Sequence, residues 1–123
     1  AADWSQEDLW ETYYGVCTRV PPPAEAYPEK PYCMEPVVAY LLNWRGENFY
    51  THGEIIPLKK DNDLDYFLRE NGDRTFYAIL QPNLLDRFTR RLPRSRRDSV
   101  EQVHNENMQF VLLRIPAVVD DTP

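Results

Sequence analysis

Two apolar runs constrain this chain more than any other feature. Val37-Val38-Ala39-Tyr40-Leu41-Leu42 and Ile55-Ile56-Pro57-Leu58 stand on either side of a polar, aromatic connector, Asn43 to Glu54. The first run has no apolar/polar alternation and opens on β-branched residues directly after Pro36, as a strand buried on both faces does. We expect it to be the central strand of a parallel or mixed sheet. Trp44, Phe49 and Tyr50 lie in the connector among Asn43, Arg45, Glu47, Asn48 and His52, with Gly46 and Gly53 as punctuation. The expected structure there is a short crossover helix over 45–51. Two readings of its side chains stand open. They pack onto the sheet, or Trp44, Arg45, Tyr50 and His52 edge a ligand or acceptor surface at the carboxyl end of the first strand, where open α/β sheets bind ligands.

The rest of the chain supplies the layers that such a sheet needs. Trp4-Ser5 followed by Asp8 and Leu9 reads as a staple and capping box. A helix then starts at Gln6, carries the stripe Leu9, Trp10, Tyr13 and Tyr14, and stops at Gly15. Residues 16–35 are too rich in proline for a helix or an interior strand and form an extended loop. Cys17 and Cys33 flank that loop, and a bridge between them would close it with roughly 3 kcal/mol of chain entropy. The competing reading is a pair of unrelated thiols.

Pro57 implies that the second strand, Ile55 to Leu58, either lies at an edge or ends there. Asp61 or Asn62 caps a helix whose buried stripe is Leu64, Phe67 and Leu68, with Asn71-Gly72 at its end. In this reading Asp61, Asp63 and Asp65 serve the positive end of the helix dipole. Thr75 to Leu80 is a third strand, Pro82 opens a third helix with Leu84, Leu85, Phe88 and Leu92 on one face, and Pro93 closes it. Ser99–Val103 and Met108–Ile115 form a hairpin around residues 104–107. Alternating strands and helices give an α/β chain. We expect a three-layer, Rossmann-like sandwich with a short parallel core sheet and a C-terminal antiparallel hairpin. Residues 1–116 would form one domain and 117–123 a flexible tail.

Composition narrows the function classes. With 123 residues, 42% hydrophobic, the chain can build a real core. A formal charge of −6 argues against general nucleic-acid binding. Yet Arg87, Arg90, Arg91, Arg94, Arg96 and Arg97 concentrate six of the fourteen basic residues in one segment, a candidate contact for anionic lipid headgroups or a phosphate-bearing lipid, or else a solvated helix face. No stretch reaches the ~18 to 20 apolar residues of a membrane span, and no signal-peptide pattern is present. The Ala-Ala-Asp-Trp opening suggests a segment of a longer protein. Four scattered glycines write neither a dinucleotide fingerprint nor a phosphate loop. His52 and His104 lack metal-ligand spacing, so neither a metal nor a cofactor is expected. A Cys/His nucleophile pair is formally available between Cys17 or Cys33 and His52, but the bridge explains the same cysteines.

Trp4-Ser5-Gln6 with Leu9-Trp10-Glu11-Thr12-Tyr13-Tyr14, and Tyr40 to Thr51 (YLLNWRGENFYT), together resemble the soluble tail that follows the last membrane span in some bacterial members of the dolichyl-phosphate-mannose protein mannosyltransferase group. The strand Phe76 to Leu80, the basic helix and the hairpin ending in Phe110 to Ile115 are compatible with it. The resemblance implies a polytopic glycosyltransferase that moves a sugar from a polyprenyl-phosphate donor to an acceptor on the extracytoplasmic side of the membrane. This chain would be its non-catalytic domain, partnered by the transmembrane portion of the same polypeptide. The family's catalytic acids lie in a loop between early spans, which nothing here matches, so no catalytic residue carries over. The Cys17 to Cys33 loop is outside the family's pattern, though a bridge suits that location. From the residues alone, a secreted saccharide- or peptide-binding module built on Trp44 and Tyr50, or a small stand-alone enzyme, are the other readings.

Overall fold

The computed structural model describes residues 7–21, 33–42, 55–104 and 110–117. In chain order the elements are α1 (Glu7–Val16), β1 (Val37–Tyr40), β2 (Ile55–Leu58), α2 (Asp61–Glu70), β3 (Phe76–Leu80), a 3-10 turn (Pro82–Leu84) leading into α3 (Leu85–Arg91), α4 (Arg94–Arg97), β4 (Glu101–His104) and β5 (Val111–Ile115). The strands form one open sheet in the order β2-β1-β3-β5-β4. β2, β1 and β3 run parallel, β5 is antiparallel to β3, and β4 is antiparallel to β5. The chain is thus mixed α/β with a parallel core and an antiparallel pair at one edge, as its alternation of elements implies.

The expectation for the central strand needs correction. β3 holds the middle of the sheet and β1 lies beside it, still an interior strand with all four residues buried. Both sequences are apolar throughout, so burial pattern alone does not rank them. What ranks them is the C-terminal hairpin, which adds to β3's free side. β2 does form the other edge, and Pro57 fits there for a stated reason. The Leu58 carbonyl accepts from the Leu41 N–H at 2.8 Å, so the backbone of Leu58 faces β1 and that of Pro57 faces outward, where no ladder donor is lost.

Strand alternation divides the core into two clusters, one on each face of the sheet. Leu9 and Tyr13 of α1 meet Val37, Tyr77, Ile79, Phe110 and Leu112. On the opposite face Leu64, Phe67 and Leu68 of α2 and Phe88 of α3 meet Val38, Tyr40, Phe76, Ala78, Leu80, Val111, Leu113 and Ile115. Each large apolar side chain so buried contributes about 1.5–3 kcal/mol. Of the helix stripes read from spacing, Leu9 and Tyr13, then Leu64, Phe67 and Leu68, then Phe88 and Leu92 are buried while Tyr14, Leu84 and Leu85 are partly so, and β5 sends Leu112 one way and Val111, Leu113 and Ile115 the other.

Helix ends depart from expectation in instructive ways. α1 does not stop at Gly15 but runs on to Val16, with the Cys17 N–H still bonded to the Tyr13 carbonyl at 2.9 Å. Cys17 then begins the staple. α2 is capped at Lys60, not by the side chain of Asp61 or Asn62. Asp63 reaches back to accept from the N–H groups of Lys59 and Lys60 at 3.0 and 3.1 Å, the reciprocal half of a capping box. That frees Asp61 for other work. Pro93 does end α3, but the arginine run beyond it winds into a further short helix, α4.

The proline-rich segment is tied at its two ends. Cys17 and Cys33 form a disulfide across 16 residues of sequence, with Cα atoms 5.7 Å apart. Arg19 and Cys33 form an antiparallel bridge, and Glu35 accepts from the Thr18 N–H at 2.8 Å and its hydroxyl at 2.5 Å. The Tyr13 hydroxyl donates to the Glu35 carbonyl at 2.5 Å, fixing α1 to the entry of β1. The Ser5 cap, the 45–51 crossover helix, the turn at 105–107 and the tail beyond 117 lie outside the described residues.

Candidate functional site

The parallel strands bring their carboxyl ends together, and charged or polar groups gather there from the end of each or from the helix that follows it. Tyr40 is the last residue of β1. Asp61 is the first residue of α2, just past β2. Arg87 and Arg91 lie one turn apart on α3, after β3. Tyr40 is fully buried, and its hydroxyl donates to Asp61 Oδ1. Asp61 Oδ2 accepts from Arg87 Nη2 at 2.6 Å and Nε at 3.2 Å. Arg91 stands 3.7 Å from Asp61 and pairs with Asp65 through Nη2 at 2.6 Å and Nε at 3.3 Å.

The pairs Asp61–Arg87 and Asp65–Arg91 share an offset of 26 residues. Two matched pairs at the same offset, each a turn apart, mean that α2 and α3 run in the same direction. That follows from both helices succeeding parallel strands. The ladder lies where open α/β sheets place ligands. The backbone marks the same place. Leu41, next to Tyr40, has φ of 53°, the one non-glycine residue with positive φ among those described. Such a conformation costs a branched residue about 1–2 kcal/mol and is held by its surroundings, here by the Leu41–Leu58 bond and packing against the core.

Protonation states in the ladder are fixed well away from neutrality. The Arg87 guanidinium first, then the Tyr40 hydroxyl, hold the Asp61 carboxyl below the usual carboxylate range. Burial, reinforced by the hydrogen bond and charge of Asp61, pushes the Tyr40 phenol up to about 12. At neutral pH Asp61 is therefore a carboxylate with both oxygens occupied, and Tyr40 a neutral donor already committed. A general acid or base works best with a pKa near the operating pH. These groups instead form a rigid strut that aims two guanidinium groups outward, with 53% of the Arg87 side chain and 35% of the Arg91 side chain exposed.

The arginine segment therefore divides by environment. Arg87 and Arg91 are paired. Arg90 and Arg94 are exposed, and Arg90 donates to the Asp86 carbonyl at 3.3 Å. Arg97 is exposed and donates to the carbonyls of Arg90 and Leu92, both at 3.0 Å. Arg96 is the correction: it is 1% exposed and cannot meet a headgroup from the folded state. Its guanidinium lies 5.0 Å from the centre of the Phe76 ring and donates to the carbonyls of Asn71 (3.1 Å), Gly72 (3.4 Å), Arg74 and Ile115 (3.4 Å). It ties the end of α2 and the approach to β3 to the end of β5. Nothing in the run Arg94-Ser95-Arg96-Arg97 singles it out, because the docking of α4 chooses which arginine points inward.

Tyr40, Asp61 and Asp65 were not candidates from sequence. The signal available was the matched spacing of Asp61/Asp65 and Arg87/Arg91, four residues in each case. Trp44, Arg45, Tyr50 and His52 lie outside the described residues. Two clefts border α2. One, of about 630 Å³, lies between α2 and α3 and is lined by Asn62, Asp65, Leu68, Arg69, Arg91 and Pro93. The other, of about 340 Å³, follows the β2 edge past Ile56, Pro57 and Phe67, beside Tyr66, which is 60% exposed.

Among the described residues no group of three or more His, Cys, Asp or Glu side chains is arranged to hold a metal ion, and no helix is long and apolar enough to cross a membrane. The chain matches no protein-family model, no curated protein and no solved structure.

Proposed function

We propose that this chain is a non-catalytic, extracytoplasmic domain of a polytopic membrane glycosyltransferase that transfers a sugar, of the mannosyl or another hexosyl class, from a polyprenyl-phosphate donor to an acceptor. Its partner is the transmembrane portion of the same polypeptide, on the periplasmic side of a bacterial inner membrane. The observation that supports the non-catalytic part is the Tyr40–Asp61–Arg87 strut, whose carboxyl is shifted down and phenol up, away from the operating pH at which an acid or base works best, and whose carboxylate oxygens are both occupied. The cystine is compatible with the oxidising side of a membrane. The resemblance of residues 4–14 and 40–51 to the mannosyltransferase tails supplies the class of parent protein.

In this reading the layers form a three-layer, Rossmann-like sandwich that covers the membrane-embedded site. The exposed arginines of α3 and α4, Arg87, Arg90, Arg91, Arg94 and Arg97, help to hold the domain against anionic headgroups or the lipid-linked donor. Deletion of residues 1–123 from the parent enzyme should reduce sugar transfer or alter acceptor choice, while the isolated chain transfers nothing. Unchanged turnover and acceptor choice after the deletion, or transfer by the isolated chain, would sink the reading. The second reading, a secreted saccharide- or peptide-binding module, is favoured by the exposed Tyr66 ring beside the β2-edge cleft. Saturable glycan or peptide binding by the chain, lost in Tyr66→Ala, would select it instead.

A further inference from the structure

The cleft between α2 and α3 is the feature that the proposal above leaves unused. We infer that it is a binding site for a dianionic phosphomonoester, with Arg69 and Arg91 as its cationic walls. Three observations converge. Two arginines, Arg69 and Arg91, line one concavity with Asn62, Leu68 and Pro93, and Asp65 is the single acidic residue among them. The lining carries two formal positive charges against one negative, in a chain whose total is −6.

The carboxylate is already spent. Both Asp65 oxygens accept from Arg91, through Nε and Nη2, which fixes the plane of that guanidinium and leaves Nη1 for a ligand. Asp61 steadies the same arginine from 3.7 Å and is itself anchored on the buried Tyr40. Arg69 is exposed at the C-terminal turn of α2 and enters no ion pair among the described residues. A guanidinium oriented in advance loses little freedom when it forks onto a phosphate, and a second one across the cleft matches the second charge of the ligand.

The phosphate could be carried by a lipid or by a soluble molecule. Only this choice of carrier rests on the glycosyltransferase reading. The chain labelled with ¹⁵N should be titrated with inorganic phosphate near neutral pH at ionic strength held constant with chloride. Saturable shifts confined to Asn62, Leu68, Arg69 and Arg91 are expected. Arg69→Gln should weaken binding roughly tenfold or more, as loss of a charge-assisted bond does, and Arg91→Gln at least as much.

The Arg69 side chain makes no ion pair or hydrogen bond among the described residues, so its variant remains informative if Arg91→Gln is poorly folded. Arg114→Gln, on another cleft, serves as the control and should bind as wild type. In a parallel arm, sedimentation with vesicles of phosphatidic acid in phosphatidylcholine, competed by inorganic phosphate, assigns the carrier to lipid. Phosphate binding without vesicle binding assigns it to a soluble ligand. The site is overturned if no saturable phosphate binding occurs, if Arg69→Gln binds as wild type, or if vesicles are bound in proportion to surface charge alone, phosphatidylglycerol serving as well as phosphatidic acid. None of those failures touches the deletion experiment in the parent enzyme, so the two readings fall separately.

Discussion

Replacing Arg96 by alanine should be among the most damaging single changes outside the apolar core. The side chain is buried to 1% exposure, donates to four backbone carbonyls and stacks over Phe76. Hydrogen bonds to charged groups contribute about 1.5–3 kcal/mol each, but these four share one guanidinium, three approach 3.1 Å or more, and the Asn71 carbonyl also accepts from the Arg74 N–H at 3.2 Å. Against the gain stands the cost of burying the charge, which is also what pulls the Arg96 guanidinium's pKa down. A buried carbonyl left without its partner costs about 1–3 kcal/mol, and we take ~3 kcal/mol in all because three of the four acceptors, Asn71, Gly72 and Arg74, lie in the loop after α2, where water can replace the guanidinium. For a domain of this size that corresponds to a fall in Tm of roughly 10 °C.

Arg96→Met, which keeps the contact with Phe76 and leaves no cavity, should fall between alanine and wild type. Urea unfolding followed by tryptophan fluorescence and circular dichroism, with coincident transitions and an unchanged m-value, measures both variants. A loss below about 1 kcal/mol in Arg96→Ala would refute the idea that this arginine ties the sheet to the end of α2.

Four further outcomes follow from the same structure. Asp61 has a depressed pKa in the fold, so its contribution is present above the unfolded carboxylate pKa of about 3.9 and is lost as pH falls through the folded value. Asp61→Asn should flatten the acid limb of stability measured by urea midpoints across that range, and an unchanged limb would contradict the assignment. Tyr40 is shifted the other way, from about 10 to about 12, so its contribution is present below pH 10 and is lost between those values. Ultraviolet titration of wild type against Tyr40→Phe should show one late-ionising phenol missing in the variant. Reduction of the Cys17–Cys33 bridge, or its double replacement by serine, should cost about 3 kcal/mol from the loop it closes, read as a lower Tm in dithiothreitol; an equal Tm would show that the loop is held by its other bonds. Leu41→Gly relieves the positive φ by about 1 kcal/mol and loses only a half-buried side chain, so its net change should be small, whereas Leu58→Ala, 3% exposed, should cost about 2–5 kcal/mol. Equal losses at both positions by urea titration would remove the case for strain.

How much of this was legible beforehand depends on what each residue's role depends on. The strands announce themselves through runs such as Val37–Tyr40 and Phe76–Leu80, and α2 through Leu64, Phe67 and Leu68, because burial of a face has a fixed period and needs no knowledge of the partner. The pairing of Cys17 with Cys33 was available from two cysteines around a proline-rich loop. By contrast, α2's cap shifted from Asp61 to the Asp63–Lys60 box, and that shift turned Asp61 from a dipole partner into the hinge of the Tyr40–Arg87 strut.

The sequence by itself therefore determined the strands, the order of the longer helices among them and the apolar residues that bury from α2 and β5, since these are properties of local spacing and solvation. Only the tertiary structure decided that β3 rather than β1 is central, that Arg96 is buried while Arg94 and Arg97 are not, and that Asp61 and Asp65 meet Arg87 and Arg91. Those outcomes depend on how separate elements dock. A side chain's surroundings after docking come from residues about 20 to 26 positions away, which no local pattern encodes.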